Sequence, residues 1–232
     1  MKSDAVLINR YLTVATEDEL VQAFPVTTGP WRSPLKVTQG TIKRLVAGDA
    51  LTTEDVATIL SMFAWRDAYL EELATRENTV GWKPSIFYML GATCQLPNQI
   101  TTGNQRSSYC FMYIVFLKVW VLAVLDHDNK QCNMILPNSG VGITGAKDLF
   151  WNTLFAANSQ FLREWELSDS LTMLLLHQLP EEAVREQDKA LALVYIMYSL
   201  ILSVPVYFEE SDLKRKYREN LAYHLTKGNL PY

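Results

Sequence analysis

The chain has 232 residues, a formal net charge of −4 at pH 7 and a mean hydropathy of 0.00. This length suffices for one large domain with a buried core, and the acidic total excludes a protein that coats duplex DNA by bulk positive charge. Ten glycines are few for a doubly wound α/β fold, and strong helix formers dominate between the loops. The composition therefore predicts an all-α protein.

The pattern of residues near the N-terminus predicts an arm ahead of a helical domain. Thr16 and Glu19 form a capping box, which predicts a short helix at residues 16–24, and prolines then interrupt the chain. We divide the chain into an arm with this short helix at residues 1–28 and a single multi-helix domain at residues 29–232, with a candidate lobe boundary near residues 126–145. A short tail follows the last helix.

Apolar residues at steps of three and four predict the helices of this domain. The clearest is a long surface helix at residues 53–77, whose polar face includes Arg66 and Asp67. A shorter helix at residues 41–47 ends at Gly48, and residues 85–90 are predicted to form one or two helical turns. Later helices are predicted at residues 146–167, 171–179, 180–208 and 212–225.

Two long apolar runs, at residues 109–125 and 190–208, are predicted to form the central helices around which the others pack. The second run has the length of a membrane span, so a membrane-associated helical protein is one alternative. Lys118 lies near the middle of the first run, where a charge would oppose insertion by roughly 2.5 to 3.5 kcal/mol. We therefore favour two buried core helices.

A glycine motif follows the first run. Gly140, Gly142 and Gly145 match GxGxxG, the pattern of a dinucleotide-binding turn. That motif requires a βαβ unit, which the sequence does not predict. We interpret the segment as a loop that leads into the next helix, with a phosphate contact through its amides and Lys147 as the other interpretation.

The residues that usually support catalysis or metal binding are scattered. His127, His177 and His224 lie in three separate segments, and Cys94, Cys110 and Cys132 form no CxxC pair. Asp4 and Arg10 interrupt the stretch where a signal peptide would be apolar. These patterns predict a protein that is not an enzyme, uses no cofactor or metal and resides in the reducing cytoplasm.

Charge distribution suggests a function. Residues 78–147 carry five basic and two acidic side chains, and residues 78–125 carry no carboxylate. We therefore predict a nucleocapsid or coat protein that assembles with copies of itself on single-stranded RNA. A helical interaction or scaffold protein is the other alternative. The candidate nucleic-acid-binding residues are Arg32, Lys83, Arg106, Lys118, Lys130 and Lys147.

Overall fold

The computed structural model describes residues 20–24, 35–76, 85–90, 109–116, 119–137, 143–164, 184–203 and 217–227. These ranges contain six strands as well as helices, so the prediction of an all-α fold is wrong. The elements are β1 (Leu20–Phe24), β2 (Leu35–Thr38), α1 (Gln39–Ala47), α2 (Thr53–Arg76), β3 (Ile86–Leu90), β4 (Tyr109–Phe116), β5 (Val119–Asp126), β6 (Gln131–Ile135), α3 (Ile143–Glu164), α4 (Lys189–Ile201) and α5 (Arg218–Lys227).

A four-stranded sheet in the order β3-β4-β5-β6 forms the centre of the protein. β3 runs parallel to β4, whereas β4, β5 and β6 are antiparallel neighbours. β1 and β2 form a separate antiparallel pair, in which Leu20 lies opposite Thr38 and Phe24 opposite Leu35. The described chain is therefore mixed α/β.

The first apolar run folds as the β4–β5 hairpin and not as a central helix. Phe111 lies opposite Val124, and Tyr113 lies opposite Leu122. The run is rich in aromatic and β-branched residues, which favour strands. It lacks the usual alternation of apolar and polar positions because both of its faces are buried.

Alternate residues of the hairpin enter two separate hydrophobic cores. Phe111, Tyr113 and Leu122 belong to the core beneath α1, α2, α4 and α5. Met112 and Ala123 face the other way, into the core that α3 covers. The sheet is thus the middle layer of three, and the helices on each side keep its apolar side chains from water.

Other helix predictions had mixed outcomes. The helices predicted at residues 41–47 and 53–77 are confirmed as α1 and α2, and Gly48 ends α1 in the left-handed conformation with φ 81°. Residues 20–24 and 86–90 form strands, so the short helix predicted at 16–24 is wrong over its described part and the helical turns predicted at 85–90 are wrong. In the second apolar run, residues 190–201 belong to helix α4, which ends at Ile201, and residues 204–208 lie outside the described residues. Across the described ranges, no helix combines the length and hydropathy that a bilayer span requires.

A buried carboxylate joins α1 to α2. Asp55 accepts hydrogen bonds from Arg44 Nε at 2.7 Å, from Thr41 Oγ1 at 2.6 Å and from the Thr52 backbone amide at 2.8 Å. Thr52 Oγ1 in turn accepts from the Asp55 amide, which completes a capping box at the start of α2. Burial alone would raise the pKa of Asp55, but the hydrogen bonds from these partners outweigh it and lower the pKa.

A second buried ion pair attaches α5 to the rest of the helical layer. Arg218 Nη2 donates to Asp188 Oδ1 at 2.5 Å, and Arg218 Nη1 donates to the carbonyl oxygens of Arg44 and Asp49 at 3.3 and 3.0 Å. The guanidinium therefore caps the end of α1, where carbonyl groups point out of the helix. Both side chains of the pair are less than a tenth exposed.

We expect Arg218→Met to lower the free energy of unfolding by about 3–5 kcal/mol, because Asp188 would remain buried without its cation. Urea denaturation measures this change. Arg163→Met is the matched control, since Arg163 is exposed on α3, and it should change stability by no more than about 0.5 kcal/mol. Equal effects of the two substitutions would contradict the structural role of Arg218.

Candidate functional site

The two described cysteines lie on the same face of the central sheet. Cys110 of β4 and Cys132 of β6 are both registered opposite Leu125 of β5. Each is completely buried in the core that α3 covers, and both are free thiols. The strands that carry them therefore place these thiols inside the protein.

Burial also determines the acidity of these thiols. It raises the pKa of Cys132 to about 12 and, aided by the nearby Cys132, raises the pKa of Cys110 well above its ordinary value. A nucleophilic cysteine needs the opposite, an accessible thiol with a lowered pKa. Neither Cys110 nor Cys132 is suited to covalent catalysis, and Cys94 lies outside the described residues.

Described histidines lie at two sites. His127 is half-buried in the turn between β5 and β6, with Nε2 3.5 Å from Lys130 Nζ. His224 lies on α5, where its ring is 5.4 Å from that of Tyr223 and nearly perpendicular to it. His177 lies outside the described residues. Each described ring is thus held by a neighbour on its own turn or helix.

The β5–β6 turn is a structured polar connection. Asp126 accepts from the Asn129 backbone amide at 2.9 Å and from Asn129 Nδ2 at 2.7 Å, so both carboxylate oxygens are used. Lys130 adopts a left-handed conformation with φ 54°. Among the residues that the structure describes, no three side chains of the ligating types could hold a metal ion together.

Asp67 of α2 is a buried carboxyl group with a raised pKa. The sequence predicts it on the polar face of a surface helix, yet its side chain is only 4% exposed. It accepts from the backbone amide of Ser85 at 2.8 Å and from Arg66 Nη1 at 3.1 Å. Burial outweighs these hydrogen bonds and raises the pKa of Asp67 to about 6.

Only two of the six candidate nucleic-acid-binding residues, Lys130 and Lys147, lie among the described residues. Arg32, Lys83, Arg106 and Lys118 lie outside the described residues. Lys147 lies near the start of α3, and nothing is described of its side chain. Lys130 belongs to the β5–β6 turn and contacts His127. No observation tests whether these residues bind nucleic acid.

The glycine motif does not belong to a dinucleotide-binding unit. Gly140 and Gly142 lie outside the described residues, and Gly145 is inside α3. The strand before the motif, β6, is antiparallel to β5. A dinucleotide turn instead requires parallel strands joined by the helix.

Several solved structures have a fold similar to that of this chain. The SUMO protease Ulp1 with its catalytic cysteine oxidised to a sulfinic acid matches with a TM-score of 0.61 and 12% identity, over 98% of this chain and 95% of that chain. The Ulp1 protease domain in complex with Smt3, the yeast ortholog of SUMO, matches with a TM-score of 0.63 and 11% identity, over 98% and 96%. The Ulp1-like SUMO protease catalytic domain of Chaetomium thermophilum gives 0.60 and 14%, over 100% and 91%.

The chain has the fold of Ulp1-like SUMO protease domains. At these identities the similarity establishes the fold alone. No family model matches the sequence, and neither does any curated protein.

This fold corrects the functional predictions. A nucleocapsid or coat protein, like the helical scaffold alternative, was predicted on an all-α architecture, whereas the matching structures are cysteine-protease domains. The prediction that the chain is not an enzyme is contradicted because the fold is that of protease catalytic domains. The predicted RNA and self-association partners are also contradicted, since the partner seen on this fold is Smt3.

The burial of Cys110 and Cys132 determines how their thiols react with an alkylating reagent. In the folded protein, iodoacetamide should leave Cys110 and Cys132 unmodified at neutral pH, because both thiols are buried and protonated. In urea both should react. Peptide mass spectrometry locates the modified cysteines, and rapid native labelling of Cys110 or Cys132 would contradict the placement of these strands.

Proposed function

We propose that this protein binds a SUMO-like protein and acts on it as a cysteine peptidase. The supporting observation is the similarity of fold across almost the whole chain to Ulp1 protease domains, one of which was solved with Smt3 bound. The similarity covers 95% and 96% of those domains, so the proposal does not depend on a shared fragment.

The choice of nucleophile follows by elimination. The chain has three cysteines, and the burial and raised pKa of Cys110 and Cys132 make both unsuitable. A cysteine peptidase built from this chain would therefore use Cys94. The reaction requires a reduced thiol, in keeping with our proposal of a cytoplasmic location.

The chemistry proceeds in two steps. A general base takes the proton of the Cys94 thiol, the thiolate attacks the carbonyl carbon of the scissile amide, and the C–N bond breaks as the same proton passes to the leaving amine. Water then attacks the thioester, which releases the carboxylic acid and regenerates the thiol. This hydrolysis needs neither a metal nor a redox cofactor.

A SUMO protein with a C-terminal vinyl sulfone tests this proposal, because a reactive cysteine adds to the vinyl group irreversibly. We expect one covalent adduct, visible as a mass increase of one SUMO. Cys94→Ser should abolish the adduct, whereas Cys110→Ala and Cys132→Ala should keep it as matched thiol controls. Circular dichroism confirms that each variant is folded.

Three outcomes would contradict parts of this proposal. If the native chain binds SUMO in calorimetry and forms no adduct, the peptidase reaction is wrong and the partner is retained. If the chain neither binds SUMO nor forms an adduct, the partner is wrong as well. An adduct that survives in Cys94→Ser would overturn the assignment of the nucleophile.

A further inference from the structure

Asp67 connects the long helix α2 to the beginning of the central sheet. Its carboxylate accepts the backbone amide of Ser85, a residue 18 positions later that directly precedes β3. The side chain is 4% exposed, so the bond is shielded from water. One hydrogen bond to a buried carboxylate thus holds the start of β3 at the surface of α2.

The strand attached by this bond is at the edge of the sheet. β3 pairs with β4, and within the described residues it has no strand on its other side. Phe87 of β3 stacks between Phe63 of α2 and Phe111 of β4, with ring centroids 6.0 and 5.4 Å apart. The position of β3 therefore depends on its contacts with α2 as well as on one ladder of hydrogen bonds.

The charge of Asp67 is only partly compensated by its surroundings. Arg66 donates to it through Nη1, but Arg66 Nε is buried and has no acceptor among the described residues. At the residue before β3, the facing groups are the amide and hydroxyl of Ser85. From α4, Tyr198 lies close enough to Arg66 for the guanidinium to favour its ionised form. Between the end of α2 and Ser85, the charged residues of the sequence are Glu77 and Lys83.

We propose that Asp67 is a proton-sensitive latch, which holds the start of β3 against α2 when it is protonated and releases it more readily when it is ionised. A neutral carboxyl group still accepts the Ser85 amide through its carbonyl oxygen, and it avoids the desolvation of a buried charge. An ionised Asp67 is better solvated when the junction opens.

The direction of the pH dependence follows from linkage. The closed junction raises the pKa of Asp67 to about 6, whereas the exposed carboxyl in the open form has its ordinary value of 3.8. The closed form therefore binds more protons between these values, and its stability falls as pH rises from 4 to 6. The opening equilibrium increases by about 30-fold between pH 4 and 6, roughly doubles again by pH 7 and is constant above that.

Amide hydrogen exchange of β3 measures the latch directly. We expect the protection factors of Ile86–Leu90, corrected for intrinsic exchange rates, to fall by about 10- to 100-fold between pH 4 and 6 and then level off. Asp67→Asn mimics the neutral acid and should remove this dependence. Glu77→Gln is the matched control and should behave like the native chain.

Arg66→Gln provides a second variant that preserves the carboxylate. Without the guanidinium the closed-state pKa rises further, so the fall in protection should continue above pH 6. The proposal is overturned if Asp67→Asn keeps the native pH dependence, if Glu77→Gln abolishes it, or if Arg66→Gln shifts the fall towards lower pH.

Discussion

Burial of both faces of the central sheet is the constraint on which the rest of the structure depends. The β4–β5 hairpin sends Phe111 and Tyr113 to one side and Met112 to the other, and each side is covered by helices. A strand pair with two apolar faces is stable only when both faces are covered. The helical layers are therefore required by the hairpin sequence, and their amphipathic character follows from that requirement.

The helical layer on the side of the sheet away from α3 is held by polar contacts as well as by apolar packing. Tyr113 of β4 donates a hydrogen bond to the Ala190 carbonyl at the start of α4. Asp55 and Asp188 are each fixed by an arginine from another segment. Asp67 differs from them, because its arginine is its sequence neighbour and its burial outweighs the hydrogen bonds it receives. Asp55 and Asp188 stabilise fixed junctions, whereas Asp67 forms a junction that responds to protonation.

How far the fold could be predicted depended on which elements meet water. Helix α2 has exposed positions such as Glu54 beside buried ones such as Val56, so its period of 3.6 residues is visible in the sequence. The hairpin has almost no exposed position, and its period of two is hidden. Its aromatic and β-branched composition was the remaining signal for strands. The length of the apolar run nevertheless favoured the interpretation as a helix. Asp67 was misplaced because a carboxylate on an amphipathic helix usually faces solvent.

The candidate site could not be predicted from the spacing of residues in the sequence. A cysteine and a histidine that cooperate in a protease come from separate segments, and their proximity is a property of the fold. The sequence did show that the histidines and cysteines form no local motif, which is what a site assembled from distant segments would also show. The structure shows that Cys110 and Cys132 belong to the core, and the fold shared with solved protease domains supports the proposal of a site assembled from distant segments.

The parallel pairing of β3 with β4 has a consequence for the order of assembly on the ribosome. β4, β5 and β6 follow one another closely and can pair as soon as they emerge, because their loops are short. β3 is synthesised earlier but must wait for β4, because β4 is its one partner strand among the described residues. The face of the hairpin that α3 covers stays open until residue 164 has left the exit tunnel. During that interval the nascent chain presents bare apolar strands, the species that chaperones bind.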